Sequence, residues 1–259
     1  MTTRYLIGRA ELLTYPIEAP KKKVGDKAHP YTLTEAKRII VPEIETANRI
    51  FQELPAKACA DDLAVARLVL HPAYLAKSYF PKLLLDQVGL SSVGSRTRRI
   101  QPRRQTQKKA PPEMETTELF VSGTRAAMGN FPAFARSLNE QMPVAEQFAR
   151  IETFAAMTPA DRLHLEGTNV GHVFEVGLHL PPEGDASDVR ALFADYAKDC
   201  GFRVNGEFEF EAGRLLFVAV EGDATGLENL AQFTLTRVVR PMPHLRAARP
   251  VTRSMPLAV

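Results

Sequence analysis

Cysteine is scarce in this chain. Two cysteines, Cys59 and Cys200, make neither a disulfide framework nor a metal cluster in 259 residues, and they read as reduced thiols. No apolar run approaches the roughly 18 residues of a membrane span. Arg4 and Arg9 interrupt MTTRYLIGRAEL, so the N-terminus lacks the apolar segment of a signal peptide. These absences lead us to expect a cytoplasmic chain with no membrane partner. Phosphate loops are missing too. TNVGH and SGTRAAMG place Gly beside Thr or Ser, but neither follows GxxxxGKS/T or GxGxxG. His164 and His172 stand eight apart with no carboxylate at ligand spacing, and a metal site needs three or four convergent ligands. We therefore expect no metal and no cofactor.

What the chain does have is an uneven charge layout. Its net charge of +3 hides a basic run from Arg96 to Lys109 (Arg96, Arg98, Arg99, Arg103, Arg104, Lys108 and Lys109) that contains no acid. Arg237 to Val259 carries five arginines and no acid, whereas Glu140 to Leu235 carries 17 acidic residues against six basic. Basic segments flanking an acidic module invite an electrostatic partner, inside or outside the chain.

Periodicity divides the rest. RYLIGRAEL reads as a short strand, followed by a Pro- and Lys-rich loop. TEAKRIIVPEIETANRIFQEL has helical apolar spacing opened by Thr34, and Pro42 predicts a kink or a broken first turn. LAVARLVLHP is a β-type run, FPKLLLDQVG a short helix stopped by Gly89, and SSVGSRTRRIQP and TTELFVSG are strands. TRAAMGNFPAFARSLNEQM is helical with a break expected at Pro132, and ARIETFAAM is another strand. The order then recurs. HVFEVGLHLPP is a strand. DASDVRALFADYAKDCG is a helix capped by Asp185 or Ser187, with a stripe of Val189, Leu192, Phe193, Tyr196 and Cys200. Two strands joined near Gly213, a short helix and a last strand, TLTRVVRPMP, follow.

Both halves thus share the order βαββαβ. Local matches pair LVLHP with GLHLP, LLLDQVGL with DYAKDCGF, and TELFVSGT with LLFVAVEG. The reading is an α+β chain with two tandem ferredoxin-like modules. The alternative is one larger α+β domain with accidental similarity. The boundaries are residues 1–57 for an N-terminal strand, loop and helix, 58–165 and 166–242 for the modules, and 243–259 for an extended basic tail. His71 and His179 end the first strand of each half. They read as strand-end residues with hydrogen-bonded rings, against the alternative of acid–base groups or ligands. Glu207, Glu209 and Glu211 alternate with Phe208 and Phe210, the pattern of a solvated edge strand. The basic run is an unlikely nucleic-acid site, because neither TELFVSG nor RLLFVAV has the aromatic pattern of an RNA-binding sheet.

VARLVLHPAYLAKSYFPKLLLDQVGLSSVGSR, followed by TTELFVSGTRAAM, resembles the N-terminal region of bacterial subtilisin-like serine peptidases. These are of the kind encoded beside an AAA ATPase and linked to phage defence. The likeness runs from about Arg9 to about Ser254. It implies a prosegment-like inhibitor, folding aid or activation sensor, with a peptidase domain in cis or trans as partner. The extended tail Arg237, Val238, Val239, Arg240, Pro241, Met242, Pro243, His244 and Leu245 would then enter the protease cleft. Tyr74, Tyr79 and Phe80 would form a docking cluster, or a hydrophobic joint between the modules. The chain has no Asp-Gly, His-Gly or Gly-Thr-Ser segment, so no member of a catalytic triad carries over and none is expected here. The rival reading is an adaptor or sensor module for another protein, such as an AAA ATPase.

Overall fold

The computed structural model describes residues 30–104, 111–165 and 171–242. The expected N-terminal strand lies outside the described residues. The first helix, α1, spans Leu33–Glu53. Its N-cap is Thr32, not Thr34. The Thr32 hydroxyl accepts from the Glu35 amide at 3.2 Å while the Glu35 carboxylate accepts from the Thr32 amide at 2.9 Å, a closed capping box. α1 runs through Pro42 without a break, and its first turn is intact. Pro42 sits on the exposed side of the helix, away from the packed face.

Two four-stranded antiparallel sheets follow. The first contains β1 (Leu63–Leu70), β2 (Ser91–Ile100), β3 (Met114–Thr124) and β4 (Ile151–Ala156) in the order β2-β3-β1-β4. Helices α2 (Lys82–Val88), α3 (Arg125–Ser137) and α4 (Pro143–Ala149) join them. The expected break at Pro132 is absent, and α4 fills the stretch between the segment read as that helix and the next strand. After the short α5 (Pro159–Arg162), the second sheet has β5 (Val173–His179), β6 (Arg203–Ala212), β7 (Leu215–Glu221) and β8 (Thr236–Pro241) in the order β6-β7-β5-β8. Helices α6 (Ala186–Asp199) and α7 (Leu227–Leu230) belong to it. No helix among the described residues is long and apolar enough to cross a membrane.

Strand alternation builds the cores. Ala64, Ala66, Leu68 and Leu70 of β1 face one cluster with Ile40, Ile44 and Phe51 of α1, so α1 packs into the first core rather than standing apart. Phe131 anchors this cluster edge-on against Phe154 at 5.6 Å and Phe148 at 6.3 Å. Phe174, Val176 and Leu178 of β5 pack with Phe193, Tyr196 and Phe233 in the second. In the expected α6 stripe, Val189, Phe193 and Tyr196 are buried, whereas Leu192 is 37 % exposed.

The repeat is visible in the hydrogen bonds. The ladder of β1 with β4 shifts register between Val69 and Leu70, and that of β5 with β8 between Gly177 and Leu178. Beyond each shift the next amide bonds the residue before the last strand: His71 to the Arg150 carbonyl at 2.8 Å, and His179 to the Leu235 carbonyl at 2.7 Å. Gly89 and Gly201 end α2 and α6 with φ of 69° and 83°, which a side chain would resist. Leu90 and Phe202 follow them, bonding back to Leu85 and Ala197. A Cβ on Gly123 or on Gly222 would meet those same residues, Leu90 or Phe202, at 2.4 Å. Aligned this way, His71 matches His179 and Gly123 matches Gly222. Of the matches read from the sequence, LLLDQVGL with DYAKDCGF is in step with this alignment, whereas LVLHP with GLHLP and TELFVSGT with LLFVAVEG are one residue out.

The two sheets are joined. Val65, Val93 and Phe120 of the first belong to the second core cluster. Thr234 donates its amide to Ala58 at 2.8 Å and its hydroxyl to Leu63 at 2.7 Å. Arg162 is 1 % exposed and donates to the Ala231 and Thr234 carbonyls at 2.6 and 3.2 Å. Burial pushes its guanidinium down to about 10, so it stays a cation at neutral pH.

Candidate docking surface

β6 is an edge strand, and its pairing with β7 is interrupted between Asn205 and Glu209. From Gly206 to Ala212 every residue is exposed, so both faces are solvated, as its alternating carboxylates and phenyl rings predict. Phe208 and Phe210 are 56 % and 53 % exposed, the largest values among the exposed apolar side chains described. Phe210 stacks on Phe217 at 4.8 Å and 8°, which fixes one ring outward while Phe208 stands beside it. The pair rims a concavity of about 220 Å³ shared with Glu175 and Met242. Arg190 reaches Glu209 at 3.6 Å.

The stretch expected to be a free tail begins as sheet. Arg237, Val238, Val239, Arg240 and Pro241 lie in β8, paired with β5 from Thr236 opposite Leu178 to Pro241 opposite Phe174. Val239 is fully buried and Arg240 pairs with Glu175 at 2.5 Å, so these residues are not available to a distant cleft. On its other side, β8 meets Leu163 in a parallel bridge, and Val239 accepts from the His164 amide at 2.9 Å. The reason is that Val239 completes the second core, and burying it gains more than leaving the strand free. Met242 still bonds the Val173 carbonyl at 3.1 Å. Pro243, His244 and Leu245 lie outside the described residues.

The aromatic cluster divides. Tyr74 is 2 % exposed and meets Tyr79 edge-on at 5.1 Å. The Arg150 guanidinium covers both rings, at 5.4 and 5.0 Å from their centroids. Burial pushes the Tyr74 phenol up to about 12, with Arg150 opposing. These two residues fasten the β1–α2 connection beside the first sheet. Phe80 is 36 % exposed and faces the cleft between the sheets instead.

Most of the basic run is answered inside the chain. Arg96 and Arg98 both hold Glu118, which is fully buried, with Arg98 at 2.5 Å. Arg103 pairs with Glu43 and donates its amide to Glu152 at 2.8 Å, and Arg104 reaches Glu35 at 2.5 Å. Arg99 is exposed, and Lys108 and Lys109 lie outside the described residues. Glu118 and Arg162 organise the interior, yet nothing in the sequence marks them. Each is one charged residue in an unremarkable string, identified only by what the fold brings to it.

The histidines at equivalent positions differ. His71 accepts from the Ala73 amide at Nδ1, 3.1 Å, which leaves Nε2 to donate to the Arg104 carbonyl at 2.8 Å. His179 is 1 % exposed, and neither ring nitrogen reaches a partner in hydrogen-bond geometry, the nearby Val93 backbone notwithstanding. Burial, then the Arg237 guanidinium, pushes its imidazole down to about 3. Cys59 and Cys200 are free thiols, and burial raises both pKa values, which makes them poor nucleophiles. Among the described residues no group of three or more His, Cys, Asp or Glu is placed to hold a metal.

No protein-family model matches the chain, and neither a curated protein nor a solved structure does.

Proposed function

We propose that this chain is a non-catalytic, prosegment-like region of a subtilisin-like serine peptidase, which docks on the peptidase domain as inhibitor or folding aid. The strand order, 2-3-1-4 in each sheet with the crossing helices between, supports reading both halves as ferredoxin-like modules. The observation that carries the docking reading is the exposure of Phe208 and Phe210 on a solvated edge, beside Met242, where the chain leaves β8. Exposed rings at a sheet edge bury apolar area on a partner, and the free edge offers main-chain hydrogen bonds. Pro243, His244 and Leu245 are then the first residues a tail supplies to a cleft. Nucleic-acid binding gains no support, because Arg96, Arg98, Arg103 and Arg104 are already paired with acids.

The test adds the purified chain to a subtilisin-like peptidase domain and follows peptide hydrolysis. Slowing at micromolar concentration is expected. Replacing Phe208 and Phe210 by Ser should weaken it at least about tenfold while circular dichroism stays unchanged. Removing residues 243–259 should abolish inhibition. Absence of slowing overturns the reading. If the chain instead binds a partner such as an AAA ATPase, and does so without residues 243–259, the adaptor reading takes its place.

A further inference from the structure

We propose that the cleft between the two sheets binds a small organic anion with an aromatic or alkyl body. The cleft encloses about 940 Å³, within the range of small-molecule sites. Phe80 and Phe120 supply apolar walls, and Lys77, Arg214 and Arg237 supply cations. Among the described residues no acid lines it. A cleft of this make-up favours a negative head on an apolar frame.

Two groups point to a ligand independently. The first is His179, buried, lining the cleft, and without a hydrogen-bond partner for either ring nitrogen. A buried imidazole with both nitrogens unanswered is costly, and His179 stands in the cleft wall beside the Val93 backbone, so a ligand in the cleft lies against its ring. The second is Arg237. Its guanidinium lies 4.0 Å over the Phe120 ring, half-buried, with no hydrogen bond or ion pair among the described residues. Glu118 acts on it but is already held by Arg96 and Arg98. Burial and then Arg96 lower the basicity of Arg237, the mark of a cation short of an anion. Arg237 and His179 belong to the second module, whereas Phe80 and Phe120 belong to the first. A ligand here contacts both modules at once.

The experiment uses the full chain with two fluorescent probes: 8-anilinonaphthalene-1-sulfonate, an aryl anion, and the uncharged N-phenyl-1-naphthylamine. The anion is expected to bind saturably at one site and to shift the ring resonances of His179 in NMR. The neutral probe is expected to bind at least about tenfold more weakly. Lys77→Glu with Arg214→Glu, both at exposed positions, should weaken the anion at least about tenfold without changing Tm. Arg237→Met is the second variant, checked for folding by near-ultraviolet circular dichroism. Equal affinity for both probes, an unmoved His179 resonance, or indifference to the charge reversal overturns the proposal. None of these results bears on peptidase inhibition, so the two readings fail separately.

Discussion

Replacing His179 by leucine should make the protein less sensitive to acid. In the folded chain, burial and Arg237 hold this imidazole at about 3, whereas an unfolded histidine titrates near 6.5. Between those values the unfolded state binds a proton that the folded state refuses. Stability attributable to His179 is therefore full above about pH 6.5 and declines as pH falls towards 3. At about pH 4.5 the gap from 6.5 is about two units, and at about 1.4 kcal/mol per unit the loss is about 2.7 kcal/mol. Urea unfolding of both proteins at about pH 7.5 and pH 4.5 isolates it. All other titratable groups are common to both proteins and cancel in the difference. Wild type should lose about 2.7 kcal/mol more than His179→Leu across this interval. At the higher pH the leucine variant should be as stable as wild type or slightly more so, since two unsatisfied nitrogens disappear from the interior. Equal losses in the two proteins would refute the reasoning, because the imidazole would then be charging freely in the folded state.

Two further substitutions probe the frame. Gly123→Ala should cost about 1–3 kcal/mol, since its Cβ would meet Leu90 at 2.4 Å and the Gly89 carbonyl at 2.8 Å, whereas Gly206→Ala should stay within about 0.5 kcal/mol because nothing lies within 4 Å. Denaturation midpoints compare them, and equal effects would show that the close approach is not a constraint. Arg162→Met should cost about 1–3 kcal/mol by stranding the Ala231 and Thr234 carbonyls, and hydrogen exchange should rise first around Thr234, which bonds to Ala58 and Leu63. Unchanged exchange there would remove Arg162 from the joint.

The strands could be read from the sequence because alternation is a local signal. LAVARLVL puts Ala64, Ala66, Leu68 and Leu70 in one core and Val65 in the other, and each of the eight strands falls on a segment that reads as a strand. The repeat was legible in its order and at the helix ends, where LLLDQVGL with DYAKDCGF sets Gly89 opposite Gly201, but not in the register of its strands. Matching strings by prolines and LFV letters slips one residue, and in a strand one residue exchanges the two faces. Only the register shifts at Val69/Leu70 and Gly177/Leu178 fix the true correspondence. Pro42 and Pro132 misled because a helix can tolerate one missing hydrogen bond: Pro42 lies on the exposed side of α1, and Pro132 is buried with Phe131 on the packed side of α3. The site was harder still. Arg103 and Arg104 find their acids 60 and 69 residues away, so a run that looks free in the sequence is largely neutralised. Arg237 read as tail because its segment is proline-punctuated, yet Val239 two residues later is core. The phenylalanines of β6 were legible, since alternation with three glutamates has no place inside a protein.

Those glutamates also decide what β6 refuses. An identical strand laid against it would bring Glu207, Glu209 and Glu211 opposite a second set of the same charges, and like charges facing one another across strands repel. Copies of the chain are kept from stacking edge to edge, while a cationic stranger meets no such barrier.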